Sequence, residues 1–303
     1  MQPAAQRLHR LAFLNLAIVL IVVDLLGLEI SGIAQLGALA FGVALLGIPH
    51  GAIDPLLARV FGIAVTIRQT VFFFVTYTLV AALVVGLWLL VPAFFLGVFL
   101  ALSIWHFRGD WSGELKVFEA SAAAATVVCG PALFHPDAIT EIFAMLTFDA
   151  TIEPLVVAAR VSAVIAIIAL ICTAFLRIRQ QRLVVMEVLS LPLLAWALPP
   201  LLFFVVYFCG LHSPRHMIES ARVLSWRSPT VRRTVVAVSI VTVVAALGIY
   251  ASLPAVDATP RLLAVVFIGL AALTVPHMLL LELTASRHVP LTDHCGENFE
   301  TGP

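Results

Sequence analysis

Five of the nine histidines in this 303-residue chain stand in strongly apolar surroundings. His50 lies in GIPHGAID, His106 in SIWHFRGDW, His212 and His216 in LHSPRH, and His277 in VPHMLLLE. Neutral imidazole is the commonest metal ligand among side chains. In hydrocarbon it must find a partner or it costs several kcal/mol. One such histidine reads as an interhelical hydrogen bond; five at one depth read as a shared metal site. His212 and His216 are four residues apart, so on a helix they project from one face, about a turn apart. Imidazoles without a thiolate suit Fe(II), Zn, Cu or Ni. Cys209 precedes His212 by three residues and reads as a small core residue rather than a ligand. Asp54, four after His50, and Glu219, three after His216, are either acids that orient a ligand's second nitrogen or charges at an interface. His9, His135, His288 and His294 read as solvated.

The elements that must position these rings are membrane helices. The chain is 62% apolar and 11% charged, against about a quarter charged for a soluble domain. Only a bilayer can cover that much apolar surface. The formal net charge is zero, so no basic footprint points to nucleic acid. No C-x-x-C occurs among the four cysteines, which argues against disulfides or a metal knuckle. A spanning helix needs roughly 20 apolar residues. Ten segments qualify, at 11–30, 33–55, 70–91, 93–107, 119–134, 156–177, 184–198, 200–218, 230–252 and 261–284. Those at 93–107, 119–134 and 184–198 are short, so the count ranges from eight to ten. The expectation is an all-α polytopic transmembrane bundle, a single integral membrane domain over 1–303 that ends in a polar tail at 285–303. The first apolar run follows Arg7 and Arg10 without an A-x-A site, and reads as an uncleaved span.

Charge orients the bundle. With both termini cytoplasmic, the inner loops collect Arg59, Arg68, Lys116, Arg179, Arg222 and Arg227, and the outer loops hold no Lys or Arg. The outer loop 135–155 is acidic instead, with Asp137, Glu141, Asp149 and Glu153. In this frame the five histidines sit on four even-numbered helices, within about 10 Å of the inner boundary. Pro49 and Pro276 precede two of them, and Pro214 lies between His212 and His216. Pro214 removes the hydrogen bond to the Gly210 carbonyl and favours a kink. Such irregularity is tolerated where it lines a buried site, although proline is also common in membrane helices.

GIPHGAID (47–54), SIWHF (103–107), LHSPRH (211–216) and VPHMLLLE (275–282) resemble, in order and spacing, the Brp/Blh family of membrane β-carotene 15,15′-dioxygenases. The resemblance implies central cleavage of β-carotene by O₂ into two molecules of retinal, often for rhodopsins, in the inner (cytoplasmic) membrane. It implies Fe(II) held by His50, His106, His212 and His216. Arg108 departs from the pattern, which would have a small or acidic residue after the His-aromatic pair; its place at the membrane edge points to an effect on surface charge. His277 is not carried over as a family ligand. It shares the depth of the others and is expected to support the centre, since too many protein ligands close the positions O₂ needs.

Four imidazoles leave iron one or two open positions for O₂. A C40 hydrocarbon would arrive from the lipid, between helices. Trp105, Phe107, Phe203, Phe204, Tyr207 and Phe208 either line that channel or belong to an aromatic belt. A di-iron desaturase would need about eight clustered histidines, whereas one H-x-x-x-H is present. Stacked hemes would need histidine pairs at two depths. A metal transporter would need a path of carboxylates, and Asp24, Glu187 and Glu282 share no motif with the histidines.

Overall fold

A computed structural model describes residues 2–28, 30–148, 150–254 and 257–285. The expected polar tail, with His288, His294 and Cys295, lies outside the described residues from 286 onward. Among the described residues there are helices and no strand. Eleven helices follow in order: α1 Gln2–Leu25, α2 Gly32–Val60, α3 Ile67–Leu90, α4 Pro92–Trp111, α5 Val117–Phe134, α6 Pro136–Thr147, α7 Glu153–Arg177, α8 Arg182–Ala197, α9 Pro200–Ser220, α10 Pro229–Ser252 and α11 Ala258–Ala285.

Nine of these, all but α6 and α8, are long and apolar enough to cross a membrane. Their outward residues, such as Phe72, Leu79 and Leu83 on α3 or Ile240, Val244 and Leu247 on α10, are exposed hydrophobics, as a lipid-facing surface requires. The chain is therefore a multi-pass membrane protein. The tenth expected span is α8, 16 residues long and about 24 Å at 1.5 Å per residue. It is a strut inside the bundle, with Val185, Val188, Leu191 and Leu194 fully buried. The expected loop at 135–155 instead holds α6, whose Ile139, Phe143 and Leu146 are buried against the bundle.

Local chemistry sets the helix ends. Pro92, Pro136, Pro200 and Pro229 each open a helix, where the missing N–H costs nothing. Thr66 and Gln69 form a capping box at the start of α3. Small residues let α5 and α7 approach closely: Ala120, Ala123 and Ala124 on one, Ala159, Ala163 and Ala166 on the other, all buried.

Two helices are distorted where the histidines begin. α2 contains a π turn at Val43–Gly47, just before His50, and α9 contains one at Phe208–His212. π turns inside helices concentrate at functional sites. The two turns pack together, and only glycine permits it. A Cβ on Gly47 would stand 2.7 Å from Phe208 Cε1, and one on Gly42 would stand 3.0 Å from Val205 Cγ1. The irregularity expected at Pro214 thus takes the form of a π turn. The Gly210 carbonyl that Pro214 leaves free accepts a hydrogen bond from the His9 ring at 2.9 Å. His9, expected to be solvated, is half-buried and caps that carbonyl. His135 likewise bonds the Trp196 carbonyl at 3.1 Å.

Candidate metal centre

The five histidines of the apolar segments meet in one cluster, although they come from four helices. Ring centroids of His50 lie 5.3 Å from His212, 5.8 Å from His216 and 5.6 Å from His277. His106 is 4.9 Å from His212 and 5.4 Å from His277, and His216 is 5.3 Å from His277. Nε2 of His106 and Nε2 of His212 are 3.2 Å apart and point into the same small space.

On three of the five rings the opposite nitrogen is held. A carboxylate can only accept, so Nδ1 of His212 donates to Asp110, with Oδ1 at 3.0 Å. Nδ1 of His277 donates to Asp54, with Oδ1 at 2.8 Å. Nδ1 of His50 donates to the Gly47 carbonyl that the π turn exposes. Each of these bonds fixes a tautomer whose Nε2 carries a lone pair, the usual arrangement behind a metal-ligating imidazole. Nε2 of His277 and Nε2 of His216 are buried with no hydrogen-bond partner. An orphaned buried nitrogen costs about 1–3 kcal/mol, and a ligated ion would remove that cost.

The two acids are built alike. Asp54 also accepts from the Tyr77 hydroxyl at 2.9 Å, and Asp110 from the Tyr207 hydroxyl at 2.6 Å. Each acid follows a histidine by four residues, in HGAID and in HFRGD. Neither acid bonds that histidine. The helix turns irregular between them, at Ala52 and Ile53 after His50 and in a 3₁₀ turn Arg108–Trp111 after His106. Each acid is thereby swung onto a histidine from another helix. Asp54, open in the sequence between an orienting acid and an interfacial charge, orients His277 rather than His50. Glu219, weighed for the same role, makes no hydrogen bond to an imidazole among the described residues. Asp110 was missed, and the repeated His-x-x-x-Asp spacing is the signal that marks it.

Behind Asp110 lies a buried ion network. Arg215 donates to the Asp110 carbonyl at 2.7 Å and to Glu187 at 2.7 Å. Glu187 is fully buried on α8, and also accepts from Trp111 Nε1 at 2.9 Å and Arg10 at 2.8 Å. Arg10 reaches on to Glu114 at 2.6 Å. Glu187 is therefore the anion that ties α1, α4, α8 and α9 together, not a station on a transport path. Cys209 is buried against Gly42 and packs as a core residue.

An imidazole nitrogen sits about 2.0–2.1 Å from a first-row ion, so two rings on one ion have centroids roughly 4.5–6.5 Å apart, depending on the angle between them. All six distances above fall inside that range. Among the described residues no three donor atoms already stand as a ligating group about one point. The fit therefore rests on the converging rings and the orphaned nitrogens. The donor set is all imidazole, which suits Fe(II).

A cavity of about 970 Å³, measured out to its open mouth, reaches the cluster at His50 and His106. Apart from Ser103 and Thr274, its other walls are apolar. Of the six aromatics expected to line a channel, Phe107, Phe203, Phe204 and Phe208 do so. Tyr207 is engaged with Asp110 instead. Trp105 faces outward with the Arg108 guanidinium 3.7 Å over its ring.

A family profile described as "Beta-carotene 15,15'-dioxygenase" matches residues 41–284, which include all five histidines and both acids. The chain belongs to this family. A protein of the same name from an uncultured marine bacterium, 66A03, is 30% identical over 277 residues, covering 81% of this chain and 92% of that protein. No solved structure matches the chain. The family match begins within α2, so α1 lies outside it, although Arg10 and His9 join α1 to the architecture around the centre.

Proposed function

We propose that this protein cleaves β-carotene at its central 15,15′ double bond with O₂, giving two molecules of retinal. The reading is carried by one observation: five imidazoles, two of them propped by carboxylates, converge beside an apolar cavity in a membrane chain of this family. The stoichiometry needs no other redox partner. One C=C bond breaks and two C=O bonds form, so O₂ takes up the four electrons that the two carbons lose. Iron held at the cluster would supply O₂ activation.

We place His50, His106, His212 and His216 as its ligands and add His277. The expected supporting role of His277 rested on ligand count alone. Its Nδ1 is held by Asp54, and its Nε2 is orphaned inside the cluster. Five imidazoles would hold the ion and still leave room for O₂ to reach it. The remaining residues bind and exclude: Phe107, Phe203, Phe204 and Phe208 hold a polyene without offering it a polar group, and the buried walls keep water away. The host membrane is the cytoplasmic membrane, both termini face the cytoplasm, and a rhodopsin is a natural consumer of the product.

Expression in a bacterium that accumulates β-carotene tests the reading. Bleached cells whose extracts contain retinal are expected. Unchanged β-carotene beside well-expressed, iron-loaded protein would end it.

A further inference from the structure

A second cavity touches the cluster from the other side. Its volume is about 680 Å³ to its mouth, and it lies between α2, α3, α10 and α11. Phe73 and Phe74 from α3 and Val238 and Thr242 from α10 form its distal wall, while His50 and His277 form its inner end. The first cavity runs the opposite way, along α4 from His106 to Leu96 and on to Ile142 and Leu146 of α6. Ten residues of α4 rise about 15 Å, a length that suits half of a C40 polyene. His50, Phe208, Leu270 and Thr274 line both cavities. The two spaces therefore share a wall that starts at His50 of the cluster and continues past Phe208 to Thr274 and Leu270 of α11.

This geometry has a chemical meaning that a single pocket lacks. β-Carotene is symmetric about the bond to be cut, with a bulky ring at each end. An enzyme that cuts the middle must place an equally long, equally apolar half on each side of the reacting centre. We infer that the two cavities are the two arms of one bent substrate channel, each taking one ring and its half-chain, with the 15,15′ bond set at the junction beside His50. This inference rests on the proposed carotenoid reaction and adds how the site chooses the central bond.

The test shortens each arm far from the histidines. Thr242→Trp fills the distal wall of the second arm, and Ile142→Trp fills the distal end of the first. Purified enzymes are assayed for bound iron and for retinal formed from two polyenes. β-Carotene carries a ring at both ends. β-Apo-8′-carotenal, a C30 aldehyde, has one ring and one short end; its cleavage by O₂ gives retinal and a C10 dialdehyde. Both variants should keep their iron and lose β-carotene cleavage by about tenfold or more, the scale on which a filled pocket discriminates. Both should lose far less of their activity on the C30 substrate than on β-carotene, because its short end needs only a short arm. If Thr242→Trp cleaves β-carotene normally, the second cavity is not an arm. If it loses both substrates equally while keeping its iron, the substitution blocks access rather than length, and the inference is equally overturned. Should Thr242→Trp fail to fold, Val238→Phe on the same wall is read the same way. Unaltered enzyme that forms no retinal from either polyene would remove the functional reading itself, a result distinct from these.

Discussion

At the scale of single residues, the centre is a set of rings aimed by their neighbours. Asp54 and Asp110 do not touch the space where the rings converge; they hold His277 and His212 in place, and Tyr77 and Tyr207 hold them in turn. Losing such a prop typically costs about 10–100-fold in metal affinity or activity, and losing a ligand costs more. Asp110→Asn is therefore expected to weaken iron binding within that range, measured by metal titration of purified protein, and His212→Ala to abolish it. His277→Gln keeps a hydrogen-bonding side chain but no imidazole. It should lose iron more completely than Asp54→Asn does; full iron occupancy in His277→Gln would return His277 to a supporting role. All five histidines were legible in the sequence because an imidazole in hydrocarbon demands a partner. The acid behind His212 was not, because Asp110 reaches a partner 102 positions away. Only a change from α to 3₁₀ geometry turns it in that direction, and no periodicity reports such a change.

At the scale of elements, the helices that positioned the site were read well and α6 was not. α6 carries Ile139, Phe143 and Leu146 at i, i+4 and i+7, an amphipathic spacing. Its Asp137 and Glu141 made the segment look like an acidic loop, yet that apolar face closes one end of the first cavity. α8, counted as a span although short, buries most of its apolar residues against protein and turns Met186, Leu193 and Trp196 outward. Its cohesion with the rest depends on Glu187. A carboxylate buried between two guanidinium groups is compensated only while its partners remain, and removing one member of such a pair costs about 3–5 kcal/mol. Glu187→Ala leaves Arg215 and Arg10 uncompensated and releases the support of the Asp110 carbonyl. Its thermal midpoint in detergent should fall well below that of Asp110→Asn, with iron lost as a consequence. An unchanged midpoint would show that the network contributes no net stability.

At the scale of the whole molecule, the number of crossings follows from which ends of the helices meet. Arg177, at the end of α7, pairs with Glu119 at the start of α5, 2.8 Å away. α5 begins just after the histidine-bearing end of α4, so α7 ends on the histidine side. α9 also runs towards that side, since His212 and His216 lie in its later half. The chain must therefore return between them, and α8 is that return: Glu187 near its start meets Arg10 and Trp111, and the Trp196 carbonyl near its end meets His135 on the far side. We propose that the nine long helices among the described residues and α8 make ten crossings, an even number that would put both termini on one side. Basic residues choose the side. Arg59, Arg68, Lys116, Arg179, Arg222 and Arg227 lie at the histidine end. At the far end the loops contain none. Arg160 stands about two turns into α7 and Arg261 in the first turn of α11, and the Arg261 guanidinium lies 4.6 Å over the Tyr250 ring. The asymmetry of Lys and Arg sets orientation, and on it we propose that the histidine end faces the cytoplasm. Reporters inserted at 112–116 and 178–181 should be active only in the cytoplasm, and reporters at 150–152 only outside. A reporter at 178–181 that scores as external while 112–116 scores as cytoplasmic would mean that α7 and α8 do not both cross, and would break the shared depth on which the five-histidine centre depends.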